Sequence, residues 1–252
     1  MGTDRDWEKW GADDPYFGVL SSESFRRERL DEDARRAFFA SGQEHVERIR
    51  ALLAEHFGCA QAPDSVLDFG CGVGRLLIPF AQRASRCVGV DVSESMLAEA
   101  RRNLQSAGIS HARLVHSDGR LDALDERFDL VHTYIVLQHI PWPRGRLILQ
   151  QLARHVAPGG FLAAHVFSAS TAPAWVRFAV RLRYLFPPLR WVRNLAKGRP
   201  MFEPSMQLHV YDAQRVAEDL ASLGFGTTVP VREPDVDGFE SMILLSRRGA
   251  VG

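Results

Sequence analysis

The residues best placed for chemistry are a glycine run and three carboxylates. Asp68-Phe69-Gly70-Cys71-Gly72-Val73-Gly74-Arg75 follows a short apolar segment and opens a helical one. Glycines there allow a tight turn and close approach of backbone to a ligand. The helix that follows offers free N–H groups at its start. The spacing is G-x-G-x-G, so the third glycine falls one residue earlier than in the dinucleotide fingerprint, and no G-K-[ST] follows. An acid two residues before the first glycine suits a cation better than a pyrophosphate. Asp91 lies twenty-one residues after Gly70, at the end of a second apolar run. A carboxylate in that place can accept from both hydroxyls of a ribose. Asp118, in His116-Ser117-Asp118-Gly119, can accept from an adenine amino group. Each feature also has a plainer reading: a turn that packs strand on helix, a helix cap, and an ordinary turn aspartate.

The elements that must hold these residues alternate in type. Ser65–Phe69, Arg86–Asp91, Ala112–His116, Phe128–Val136 and Phe161–Phe167 read as strands. Between them, Leu76–Ala84, the stretch after Ser93 with Met96, Leu97, Ala100 and Leu104 on one face, and Arg144–Val156 read as helices. Strands alternating with helices predict crossover units and a mainly parallel sheet. A helix over Asp212–Leu223 and two closing strands, near Gly226–Val231 and Phe239–Ser246, predict an antiparallel hairpin at the end. The expected fold is α/β: a Rossmann-like, seven-stranded, mostly parallel sheet ending in that hairpin. Residues 1–56 lack strand-like runs and read as an N-terminal helical lid; residues 57–252 form the main domain, with 168–206 as an inserted cap.

Composition narrows the function classes. The chain has 252 residues, 46% hydrophobic and 25% charged, which suits a globular domain with a full core. The 31 basic and 31 acidic residues cancel, so the overall charge gives no footprint for nucleic acid. Cys59, Cys71 and Cys87 are too few and scattered for a disulfide framework or zinc site, and they fit a reducing cytoplasm. No ligand cluster for a metal stands out. No apolar run approaches the roughly 18 residues of a membrane span, and the polar start has no secretory layout. Monomer and homodimer both remain open.

Several of these segments together resemble the successive motifs of class I S-adenosylmethionine-dependent methyltransferases. They are Val66 to Gly74, Gly89-Val90-Asp91-Val92-Ser93, Ser117-Asp118, Phe128-Asp129-Leu130-Val131, and Leu152 to Phe161 with Ala157-Pro158-Gly159-Gly160. Order and spacing match over roughly residues 60–167, and the closing hairpin suits the family. Within it, the chain is similar to the small-molecule group that includes ubiquinone/menaquinone and natural-product methyltransferases. The resemblance implies S-adenosyl-L-methionine as cofactor. It places Gly70, Cys71, Gly72 and Gly74 along the methionine portion and Asp68 near its ammonium group. Asp91 takes the ribose, Val92 and Met96 flank the adenine, Asp118 and Gly119 read its edge, and Leu137 and Gln138 line the sulfonium.

The acceptor side is read from aromatic and titratable residues. His139 falls just beyond the fourth strand, where neutral imidazole can take a proton from a hydroxyl; the alternative is a residue that shapes the cofactor pocket. His209, in Gln207-Leu208-His209-Val210-Tyr211-Asp212, is a second candidate base, or else a hinge residue. Tyr134 is a pocket residue or a core aromatic, and His132 reads as a core histidine. Tyr16 and Phe17 are candidate lid contacts to substrate. Between Ala169 and Phe202 lie seven basic residues and no acidic one, interleaved with Trp175, Phe178, Leu182 and Leu185 at helical spacing. Trp175, Arg177 and Arg181 are the candidate acceptor contacts there. A solvated basic face, or contact of 175–199 with a membrane surface, competes with that reading. The expected activity is methyl transfer to a small hydrophobic or anionic acceptor, O-methylation first. C- or N-methylation, or a cofactor-binding protein without transfer, are the alternatives.

Overall fold

The computed structural model describes residues 2–117, 120, 121, 124–171, 173, 206–236 and 238–250. Asp118 and Gly119, and Trp175, Arg177 and Arg181 of the basic insert, lie outside these residues. Seven strands form one sheet: β1 (Ser65–Phe69), β2 (Arg86–Asp91), β3 (Ala112–His116), β4 (Phe128–Thr133), β5 (Val156–Ser170), β6 (Phe225–Val236) and β7 (Phe239–Arg248). Their order is β3-β2-β1-β4-β5-β7-β6. The first five strands are parallel, and β7 pairs antiparallel with both β5 and β6. The expected sheet and closing hairpin are both present. Strand order reverses at β1 and β4, and the crevice beyond their carboxyl ends is where such sheets hold ligands.

Helices cover both faces. They are α1 (Gly2–Asp13), α2 (Pro15–Val19), α3 (Glu32–Phe57), α4 (Leu77–Ala81), α5 (Glu94–Ser106), α6 (Trp142–Arg154) and α7 (Ala213–Ser222). The period of two along β1 divides its side chains. Leu67 and Phe69 join a core with α6 and α7 residues such as Leu152 and Leu220. Val66 faces the other way, toward Val46, Ile49 and Leu53 of α3. Local chemistry sets the helix ends. The Asp31 carboxylate accepts from Ala34 N–H at 2.8 Å, and Gly58 at φ 66° closes α3. Ser93 caps α5, accepting from Met96 N–H at 3.1 Å, and Asp212 accepts from Gln214 and Arg215 at the start of α7.

Two differences from the sequence reading bear on the site. The fourth strand stops at Thr133 instead of Val136, because Ile135 turns the backbone to φ 61°. That conformation is unfavourable for a β-branched residue. The fifth strand begins at Val156 instead of Phe161, carrying Pro158-Gly159-Gly160 inside a bulge against β4. Cys59, Cys71 and Cys87 are all free thiols. Among the described residues, no helix is long and apolar enough to cross a membrane.

Candidate active site

A cleft opens beyond β1, β2 and β4, lined among others by Asp68, Gly70, Cys71, Gly72, Asp91, Val92 and Met96. Its floor is the glycine loop. Gly70 and Cys71 N–H both donate to Val90 O, at 2.7 and 3.0 Å. Gly70, Gly72 and Gly74 all have positive φ. At Gly70 a Cβ would stand 2.2 Å from Val136 Cγ2, so only glycine lets the β4 terminus close on the loop.

Asp91 is held to that floor by backbone donors. Gly72 N–H donates to its Oδ2 at 2.8 Å and Ser93 N–H to its Oδ1 at 2.9 Å. Burial raises its pKa, against the lowering effect of those bonds. Each carboxylate oxygen has a second acceptor direction, and the side chain borders the cleft. Asp68 is 2% exposed; its Oδ1 takes a bond from His132 Nδ1 at 2.9 Å, while its Oδ2 is buried with no partner. Arg75 also lines the cleft and is 4% exposed. Its Nη1 donates to Ser41 Oγ at 3.3 Å, and its Nε has no partner. Burial lowers its pKa to about 10, with Tyr134 and Asp68 pulling the other way. Sequence reading did not single out Arg75 as a site residue. It is the residue after the third glycine, and only its burial next to Asp68 marks it.

The roof is α1. Thr3, Asp4 and Trp7 line the cleft with Val19 of α2. Glu8 reaches α5, accepting from Ser93 Oγ at 2.8 Å, Ser95 Oγ at 2.5 Å and Ser95 N–H at 3.3 Å. Asp4 pairs with Arg144 of α6 at 2.7 Å. Trp7 meets the His139 ring edge-on at 4.9 Å.

Other sequence candidates stand elsewhere. Tyr16 and Phe17 are not at the cleft. They are 5% and 4% exposed and belong to an apolar cluster with Trp10, Phe38, Val73 and Met96. Tyr16 Oη donates to Glu99 at 2.7 Å. Helical turning of α2 puts Gly18 and Val19 on the cleft side instead. Gly74, Leu137 and Gln138 are also absent from the lining. Leu137 is fully buried in the core beneath α6, and Gln138 is 2% exposed.

Tyr134 does line the cleft; its Oη donates to Glu233 at 3.3 Å, and burial raises its pKa to about 12. His139 is buried behind the lining and its Nδ1 donates to Gln207 O at 2.9 Å. Burial lowers its pKa to about 4. His209 is half-buried, burial lowers its pKa, and its backbone N–H donates to Gln138 O at 2.7 Å. Among the described residues lining the cleft there is no histidine. Tyr211 is fully buried and donates to Ile140 O at 2.8 Å, a structural tie.

The fold is thus a mostly parallel Rossmann-like sheet closed by an antiparallel hairpin, with a glycine loop and strand-end acids at its switch point. Residues 66–160 match the family described as a methyltransferase domain. It is 34% identical over 100 residues to a ubiquinone biosynthesis O-methyltransferase of Pseudomonas fluorescens, covering 39% of this chain and 42% of that one. It is 33% identical over 117 residues to a tRNA (guanine(10)-N2)-dimethyltransferase of Methanothermobacter thermautotrophicus, covering 46% and 33%. The chain thus spans less than half the length of these curated relatives.

Among solved structures, it superposes on magnesium protoporphyrin IX methyltransferase of Synechocystis with bound S-adenosylmethionine. The TM-score is 0.60 at 20% identity, over 99% of this chain and 98% of that one. It also superposes on the N-methyltransferase NodS of Bradyrhizobium japonicum with S-adenosylhomocysteine. There the TM-score is 0.59 at 18% identity, over 98% and 99%.

Proposed function

We propose that this protein transfers a methyl group from S-adenosyl-L-methionine to a small-molecule acceptor, and that the cleft holds the cofactor. The observation that carries this reading is Asp91, clamped by Gly72 and Ser93 N–H groups at the cleft wall. A carboxylate so fixed, with acceptor directions left over, suits two neighbouring hydroxyls. The residues present fit the rest of the group. Asp68 Oδ2, buried and unpartnered, suits an ammonium; Arg75, buried beside it, suits a carboxylate. Val92 and Met96 supply apolar walls for a base. Asp118 and Gly119 are retained as partners of the adenine edge. When bound, the cofactor supplies an electrophilic methyl group on a sulfonium. The chain's own part is to orient the acceptor for in-line displacement and to exclude water under the α1 roof.

We read α1 and α2 as the lid, while α3, the rest of the expected 1–56 lid, packs against the sheet instead; 168–206 is read as the acceptor cap, with Trp175, Arg177 and Arg181 as its contacts. O-methylation is the first assignment, in keeping with the relatives that carry O-methyltransferase names. His139 acts as a pocket-shaping residue: its Nδ1 is engaged with Gln207 O, and Trp7 of the roof rests on its ring.

The test is incubation of the full chain with methyl-labelled S-adenosylmethionine and a panel of phenols, carboxylic acids, amines and activated rings. Product is detected by mass, and titration with S-adenosylhomocysteine runs in parallel. Labelled ether or ester products support O-methylation; label on nitrogen or carbon moves the reaction to those atoms. Binding without any product favours a same-fold binding protein, and failure of S-adenosylhomocysteine to bind defeats the cofactor assignment.

A further inference from the structure

The sheet face beneath α3 carries a row of polar side chains where an apolar face is the rule. Asp68 and His132 are register partners on adjacent parallel strands, so their side chains emerge side by side on the same face. Val66, two residues before Asp68, packs against α3 from that face. His45 of α3 comes down onto the pair. Its Nε2 lies 3.0 Å from His132 Nε2, and its ring centroid is 3.9 Å from that of Tyr134. All three groups are buried: His45 8%, Asp68 2% and His132 1% exposed.

We propose that His132 and His45 are positioning residues that hold Asp68 with Oδ2 turned to the cleft as the receptor for an ammonium group. The proposal rests on the reading of Asp68 given above. The proton order follows from the bonds. A carboxylate only accepts, so His132 Nδ1–H donates to Asp68 Oδ1. The lone pair of His132 Nε2 then accepts from His45 Nε2–H. Burial holds the His45 pKa well below its ordinary value, which keeps that ring neutral and its tautomer defined by this bond. Oδ1 is thereby occupied, and Oδ2 is left without a protein partner. Burying such a row is costly, and apolar residues of similar volume stabilise a fold at least as well. A buried acceptor without a protein partner is satisfied by a water or a ligand. A cation at the cleft floor is such a ligand.

The experiment measures the affinity of the full chain for S-adenosylhomocysteine and for 5′-methylthioadenosine, which lacks the amino-acid portion. Calorimetry on the same preparations gives both values. His132→Leu is expected to lower S-adenosylhomocysteine affinity by about 10-fold, the loss of roughly one oriented charged hydrogen bond. Affinity for 5′-methylthioadenosine should hold within about 2-fold. His132→Asn keeps a donor for Asp68 and should recover most of the loss. His45→Phe keeps a ring against Tyr134 without an N–H and should fall between. Equal weakening of both ligands in the His132 variants overturns the proposal, since damage to the fold alone moves both. Asp68→Asn separates the two levels. If it erases the preference for S-adenosylhomocysteine while His132→Leu preserves it, the relay is wrong and the reading of Asp68 stands. If Asp68→Asn preserves the preference, the reading of Asp68 falls and the relay with it.

Discussion

The floor and the roof of the cleft are held by different kinds of bond. The floor is fixed by main-chain donors: Gly70 and Cys71 N–H on Val90 O, Gly74 N–H on Cys71 O, and Gly72 N–H on the Asp91 carboxylate. Behind it, α3 is seated by Val46, Ile49 and Leu53, each 1% exposed or less. Fully burying such a side chain contributes about 1.5–3 kcal/mol. The roof is fixed over the cleft by the side chains of Glu8, Asp4 and Trp7. Such contacts are each worth about 1 kcal/mol or less when partly exposed. The floor is therefore preorganised, while the roof, anchored at one end by Trp10 in its apolar cluster, is tied over the cleft by contacts that single substitutions or protonation can release. That division suits a cofactor site that is rigid where it binds and openable where ligands enter.

The largest expected effect is on the floor. Asp91→Ala removes the proposed ribose acceptor and the anchor of Gly72 together. Affinity for S-adenosylhomocysteine should fall by roughly 30- to 1000-fold, the value of two charge-assisted bonds. Unchanged affinity in a folded variant, by calorimetry, removes Asp91 from the site. Gly42→Ala tests how firmly α3 backs the floor. Its Cβ would stand 2.2 Å from Arg75 O, a backbone atom that cannot swing away. Stability should drop by about 1–3 kcal/mol, read as a lower denaturant midpoint at constant slope. A midpoint equal to that of the unaltered protein means the glycine loop yields to the added methyl without cost.

His139 joins the two regions through Trp7. Under the pocket-shaping reading, His139→Ala loses an aromatic contact worth about 1 kcal/mol. Cofactor affinity and turnover should then fall together, each by less than about 10-fold. A drop in turnover of roughly 10²–10⁴-fold at constant affinity restores the general-base reading. With the His139 pKa lowered to about 4, activity should show no step near pH 6.5 from this residue.

The smallest effect belongs to the roof. Burial raises the Glu8 pKa, but hydrogen bonds from Ser95 and Ser93 outweigh it and leave the carboxyl below its ordinary value. A carboxyl depressed in the folded state stabilises above its ordinary pKa and loses that contribution as pH falls through its folded value. Protease susceptibility of α1 should therefore rise below about pH 4, before the core unfolds. Glu8→Gln should raise it at neutral pH as well and weaken cofactor affinity by only about 2- to 5-fold. Loss of affinity as large as in Asp91→Ala would erase the distinction between floor and roof.

The sequence alone determined the order of elements, the closing hairpin, the glycine loop and Asp91. Each is written in short-range signals: alternation of apolar runs, glycines that must take positive φ, an acid at a strand end. The same local logic set the caps Asp31, Ser93 and Asp212. Tertiary structure alone decided which side chains face the cleft. Tyr16 and Phe17 are as aromatic as Trp7, yet two are core and one is roof, because the turn from α1 into α2 sets which face meets α5. Arg75 and His132 gave no pattern of their own. Arg75 matters through its burial next to Asp68, and His132 through register across two strands sixty-four residues apart in sequence, with His45 arriving from a helix before either. Strand register and helix seating arise from packing between distant segments, and one chain's local periodicity holds no record of them.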